Sequence, residues 1–367
     1  MSNFSLSRRA FLRTSTAVGT TAALASVFGT GTARAAGEVN VIAYEGYIPK
    51  EFVAKFEADT GTKVNILLTD DQSKVFNLLV AEKENPTVDV VVVAGPRYLQ
   101  FGNADLLQPL DKSRVVGWEN IIPFFADAPS VKYDGTLYGM PLVNGFLTVA
   151  YNPNYADGID SWAALWDDKY AGRIGWRITE FLRQVILTQG GDPNLVAYIG
   201  NEAEAERRVN EARDLLIAKK PLVRKFWNTP AEVQQLFLNE EIYLANAQSG
   251  HVSRGILEGL PIAYAWPKEG ALGVTYSYAI ARNAPNLDNA YAFLSAFASF
   301  PDIGPTLSRA TGVMAAFNGT AEGLTDIERA ALAVPPEAQD KLWFGNEENG
   351  EVLRRLFDRA EAEIKAA

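Results

Sequence analysis

The chain has 367 residues, with 44 acidic and 34 basic side chains, one histidine and no cysteine. That excludes a disulfide framework, thiolate-held iron–sulfur or zinc centres, and any site built on several histidines. The formal charge of −10 repels nucleic acid and anionic membrane surfaces, and no basic stripe offsets it.

The N-terminus predicts an export leader. Arg8, Arg9 and Arg13 form a positive start, and residues 14–32 carry no charge. Ala33-Arg34-Ala35 supplies the small-x-small pattern of a signal-peptidase site. The SRRAFLR stretch, with paired arginines before Phe11 and Leu12, points to the twin-arginine route. The apolar run is short and rich in Gly and Thr, whereas a bilayer span needs ~20 mostly apolar residues. The expected leader is residues 1–35, cleaved near Ala35, and the expected location is the periplasm. Losing Arg8, Arg9, Arg13 and Arg34 takes the formal charge from −10 to −14.

The remaining length suits two domains of ~100–200 residues. Glu38–Ala43 reads as a strand and Tyr44–Tyr47 as the loop beyond it. Pro49 opens a helix that stops at Gly61. Lys63–Leu68 is a second strand and Lys74–Lys83 is helical by period. The β-branched run VDVVVV, ending at Val93, reads as a strand buried on both faces. This alternation predicts a parallel sheet with helices on both sides. Ligands then sit beyond the strand C-termini, at residues 44–47, 69–73 and 94–98.

Farther on, FLTVAYNP reads as a strand ending at a turn, and Ser161 caps a short helix followed by another strand. Helices are expected over 179–189, over 202–219, after the cap Thr229, over 287–300 and over 349–367. Strands are expected at 241–246, 262–267 and 274–281. No repeat or low-complexity linker separates the halves, so the chain is expected to cross between them by strands.

The order of these pieces resembles the periplasmic solute-binding proteins of ABC importers, in the spermidine/putrescine-binding branch. The resemblance lies in YEGYIPKEFVAKFEADTGTKV, VDVVVVAGPRYLQ, DGTLYGMPLVNGFLTVAYNP, SWAALWDDKYAGRIG, AQSGH, IAYAWPKEGAL and NLDNAYAFLSAFASFP. It implies an α/β, type II two-lobed fold, each lobe a mainly parallel sheet flanked by helices, with ligand in the interlobe cleft. Lobe one would comprise residues 36–143 plus 276–318, and lobe two 144–275 plus 319–367. It implies a monomer that captures a small-molecule solute, a polyamine in this branch. The solute passes to a membrane permease and its ATPase, with the twin-arginine translocase as partner during export. No cofactor, metal or catalytic residue is implied.

Carried over residue by residue, the resemblance places Tyr44, Glu45 and Tyr47 in an aromatic loop of lobe one. Gly95, Arg97 and Tyr98 follow the third strand. Arg177 and Glu180 fall where polyamine binders carry carboxylates, Gln248 where they carry a tryptophan, and Val274 and Tyr276 where they carry Trp and Asp. Trp343 is a further aromatic candidate. The departures matter, because buried ammonium groups left without carboxylates cost several kcal/mol each. Either Glu45, Asp70, Asp71 and Glu180 replace the missing acids, or the solute is another small organic molecule. An anionic one, such as an amino acid, opine or phosphonate, would suit a fork of Arg97 and Arg177.

Tyr276 and Tyr278 raise ferric-ion binding, but the adjacent paired loop tyrosines such a site uses are lacking. An exported hydrolase is the remote alternative. It would need His251, the lone histidine, as base beside Ser249 or Ser253.

Overall fold

The computed structural model of the protein describes residues 37–179, 181–346 and 348–367. The expected leader and Glu180 lie outside the described residues. The chain opens with strands Gly37–Ala43 (β1), Thr62–Leu68 (β2) and Val90–Ala94 (β3), alternating with helices Lys50–Thr60 (α1) and Gln72–Ala81 (α2). Both β2 and β3 pair with β1 in parallel. Gly61, in the left-handed region at φ 71°, ends α1. The start of α2 lies two residues before the hydrophobic period begins, because the Asp71 carboxylate caps it by accepting from the Ser73 N–H at 2.7 Å.

The second half contributes Ile174–Trp176 (β5), Val223–Phe226 (β6) and Leu244–Gln248 (β7), again paired in parallel. Between the halves run two long strands, Gly139–Tyr151 (β4) and Ala271–Ala281 (β8), antiparallel to each other. They join everything into one sheet of order β2-β1-β3-β8-β4-β7-β5-β6. Along that order, parallel pairing is confined to the outer strands; off it, Leu342–Phe344 pairs in parallel with the start of β8. The crossing pair is antiparallel to β3 on one side and to β7 on the other.

Both crossing strands are longer than their sequence pattern suggests. The GMPLVNG stretch carries Gly139, Pro141 and Gly145, which read as turn residues, yet it forms the first half of β4 and is buried throughout. Pro141 is tolerated because it lies at a register shift opposite Tyr276 and Ser277. A bulge there removes the need for one ladder hydrogen bond and re-aims the neighbouring side chains. Beside it, the buried Ser130 hydroxyl donates to Thr275 Oγ1 at 2.8 Å, and the Thr275 hydroxyl donates to Asn144 Oδ1 at 2.8 Å. This polar chain lies where the two halves meet.

Each half has its own core. In the first, Phe52 of α1 meets Phe293 and Phe297 of helix Leu287–Ala298, with ring centres 5.2 and 4.9 Å apart. In the second, Trp162, Trp176, Phe181, Leu244 and Leu356 pack together. The amphipathic helix Gly350–Ala366 lays Leu353, Leu356 and Phe357 on this second core. Helix Ser249–Leu257 (α3) and strand Leu342–Phe344 (β9) are not legible as elements in the sequence. The first is rich in Ser and Gly, and the second is three residues long and pairs only at the edge of β8.

Candidate ligand cleft

The first wall grows out of the loop after β1. Gly46 takes φ +82°, and an added Cβ would lie 2.9 Å from the Ala310 carbonyl oxygen, so only glycine makes this turn without strain. The turn brings Tyr44 and Tyr47 within 5.4 Å of each other, ring centre to ring centre. Both rings meet Tyr276, which β8 delivers from across the sheet, at 5.8 Å. The contacts are edge-to-face, each worth ~0.5–1.5 kcal/mol beyond burial. Tyr47 is buried and its carbonyl accepts from the Tyr278 hydroxyl at 3.1 Å. Burial, reinforced by Tyr276, pushes its phenol pKa well up.

Gln72 is the first residue of α2 and is buried. Its Nε2 donates to the Val92 carbonyl at 3.1 Å and to the Tyr44 hydroxyl oxygen at 2.7 Å, while its Oε1 accepts from the Ala94 N–H at 3.1 Å. Burial raises the Tyr44 pKa, and the Gln72 bond and the Arg97 charge offset part of that rise.

Beyond β3, Gly95 lies against the polar chain between the halves. A Cβ there would fall 2.8 Å from Ser130 Cβ and 3.4 Å from the Thr275 carbonyl oxygen. Arg97 is half-buried and donates to Gln100 Oε1 at 3.0 Å. Tyr98 points the other way: it is fully buried, and its hydroxyl lies 2.6 Å from the Ser277 hydroxyl. Glu45 is exposed. Asp70, also exposed, is paired with Lys74 at 2.6 Å, and Asp71 serves as the cap of α2.

The second wall forms at the C-terminal ends of β5, β6 and β7. The Arg177 backbone is held on both sides by Asn246, its N–H donating to Oδ1 at 2.8 Å and its carbonyl accepting from Nδ2 at 2.6 Å. Its guanidinium stands 6.0 Å from the centre of the Trp227 ring, and Trp227 meets the His251 ring edge-on at 5.5 Å. Burial first, and then the Arg177 charge, push the His251 pKa down to about 4. The imidazole is therefore neutral at neutral pH. Gln248 is half-buried and precedes α3.

Val274 and Trp343 are partly buried on the second core. Trp343 stays apart from the tyrosine group. It lines a cavity of about 730 Å³ with Gly95, Pro96 and Phe124 of the first half and Asn194 and Phe344 of the second. At its rim, the Phe124 and Phe344 rings are 6.1 Å apart, and a Cβ on Gly345 would lie 3.2 Å from Pro96 Cγ.

The structure thus brings together Tyr44, Tyr47 and Tyr276, with Arg97 close enough to act on Tyr44. It groups Arg177 with two residues that the sequence does not single out in that role, Trp227 and His251. Gln72 also escapes sequence reasoning as a residue, although its loop does not. Apart from Tyr276, which lies within β8, these residues sit in segments that follow a strand C-terminus.

The family model for bacterial extracellular solute-binding proteins matches residues 51–331. The chain belongs to that family. Its relatives include spermidine/putrescine-binding periplasmic proteins of Escherichia coli, 25% identical over 272 residues, and of Haemophilus influenzae, 24% identical over 271. Each alignment covers 72% of this chain, with 74% and 71% of the respective relative. The solved structure of PotD, a spermidine/putrescine ABC transporter substrate-binding protein from Streptococcus pneumoniae, superposes with a TM-score of 0.74 at 19% identity. It covers 89% of this chain and 100% of that one. The fold of this solute-binding protein is accordingly the type II two-lobed one, with β4 and β8 as the strands that cross between lobes.

Proposed function

We propose that this protein is an exported receptor of an ABC importer that captures a polyamine-class solute between its lobes and hands it to a membrane permease with its ATPase. The observation that carries the reading is the Tyr44–Tyr47–Tyr276 wall beyond the parallel strands of lobe one. Three aromatic faces and edges suit an extended methylene chain bearing an amine. The names of the relatives, which bind spermidine and putrescine, support the same class. The leader is the twin-arginine signal of residues 1–35, and the mature receptor works in the periplasm as a monomer. Among the described residues no helix is long and apolar enough to cross a membrane.

In this reading the lobes are residues 36–143 plus 276–318, and 144–275 plus 319–367. Ligand touching both walls shifts the population toward the closed form that the permease reads. No bond is made or broken. His251 packs on Trp227 with its Nδ1 buried and unbonded, and no hydroxyl engages it as a nucleophile would among the described residues.

Isothermal titration with putrescine and spermidine tests the reading. Saturable binding at micromolar levels is the expected result, and the absence of heat with any small amine would contradict it. A second reading, a solute bearing negative charge, is favoured by Arg97. This guanidinium is half-buried and has no carboxylate within ion-pair reach among the described residues.

A further inference from the structure

The hydrogen-bond polarity of the first wall is fixed by Gln72, and it narrows what a solute can present there. The Gln72 amide lies between two backbone groups of β3. Its Nε2 faces the Val92 carbonyl and its Oε1 faces the Ala94 N–H. Turning the amide over would set oxygen against oxygen and N–H against N–H, so its orientation has one solution. The second Nε2 hydrogen therefore goes to the Tyr44 oxygen. With that oxygen already accepting, the Tyr44 O–H is left as a donor, and it has no protein acceptor among the described residues.

Arg97 adds donors of the same kind. One of its N–H groups is taken by Gln100 Oε1. The others have no acceptor among the described residues. Arg97 follows β3, the strand whose Val92 and Ala94 hold Gln72 and through it Tyr44, and its charge lowers the phenol pKa. The two carboxylates that also act on Tyr44, Asp71 and Asp70, are occupied by the α2 cap and by Lys74. A neutral phenol O–H beside a partly buried guanidinium complements a group that only accepts hydrogen bonds. These two donors cannot accept from an ammonium, which is left to the aromatic faces.

We propose that the solute carries a carboxylate, held on lobe one by the Arg97 guanidinium and the Tyr44 hydroxyl, while its aliphatic chain runs along Tyr47 and Tyr276. Gln72 is the positioning residue that turns Tyr44 into a donor. The inference rests on the receptor reading and narrows its amine solute to one that also bears a carboxylate, of the amino-acid type.

The test compares two probes by calorimetry on the purified protein. They are putrescine and 4-aminobutanoate, its counterpart with one aminomethyl group exchanged for a carboxylate. The carboxylate probe is expected to bind more tightly. Arg97→Gln and Tyr44→Phe should each weaken it ~10-fold or more, the loss of one charge-assisted bond, and leave any putrescine affinity unchanged or improved. Gln72→Leu, which touches no ligand, should weaken the carboxylate probe selectively. Thermal unfolding of each variant checks the fold, and Tyr44→Phe removes one hydroxyl without disturbing the wall. Tighter binding of putrescine, insensitive to Arg97→Gln, would overturn the carboxylate and leave the receptor intact. Heat from neither probe would overturn this inference as well, and lobe closure against a broader set of solutes would then decide the receptor reading separately.

Discussion

The two clusters proposed as walls of the cleft are built to opposite recipes. Lobe one presents three tyrosines whose rings hold one another; Gln72 fixes the Tyr44 hydroxyl, and the Tyr278 hydroxyl pins the Tyr47 backbone by donating to its carbonyl. Lobe two presents a cation over a buried indole, with a histidine held neutral beside them. The first wall is ordered by hydrogen bonds that leave specific donors exposed. The second is ordered by packing around Trp227 together with the Asn246 clamp on the Arg177 backbone. In the proposed receptor a pre-ordered wall sets specificity while the other lobe moves relative to it.

Trp227 is where the packing of lobe two is most exposed to mutation. It is fully buried in lobe two, and Trp227→Ala is expected to cost ~3–5 kcal/mol, as for other large-to-small core changes. Denaturant unfolding would measure the loss, and a change under ~1 kcal/mol would mean that packing does not order this wall.

His251 gives the next largest effect, through pH. Its pKa falls from 6.5 to about 4 on folding, so between those values the unfolded chain binds the extra proton. Stability is then complete above pH 6.5 and declines as pH drops toward 4. The loss is about 2–3 kcal/mol after allowing for partial solvent screening. In His251→Gln that window should be flat. Glu204 and Glu328 titrate lower. Arg207 and Arg309 hold their carboxyls down to about 2, so their contribution is lost only as pH falls from 4.5 toward that value.

On lobe one, Gly95→Val tests close approach. Its side chain would collide with Ser130 and the Thr275 carbonyl, costing ~1–3 kcal/mol by overpacking, and solute affinity should fall with it. Unchanged melting and binding would show that the junction can yield. The smallest effect is expected for Tyr276→Leu, which removes two edge-to-face contacts and ~1–2 kcal/mol of stability by thermal melting.

How much was legible follows the same division. The βαβαβ start and the loops at 44–47 and 94–98 come from alternating apolar runs and the rule that ligands gather beyond strand ends, while Arg97 as a ligand candidate comes from the family resemblance. The crossing strands read as too short because Gly139, Pro141 and Gly145 punctuate a segment that tertiary burial holds extended. Helix α3 is hidden by Ser249, Gly250 and Gly255, poor helix formers that its packing overrides. Trp227 closes a short charged strand, VRKF, whose weak pattern draws no attention to the residue after it. The role of Gln72 depends on a long-range bond to Tyr44, 28 residues away, which no local pattern records.

The central claim is that these unlike walls close over one small solute. Small-angle scattering of the purified protein, with and without a solute shown to bind by calorimetry, tests it most directly. A smaller radius of gyration is expected in the bound state, with the solute recovered unchanged. An identical profile at saturation, or chemical conversion of the solute, would contradict it.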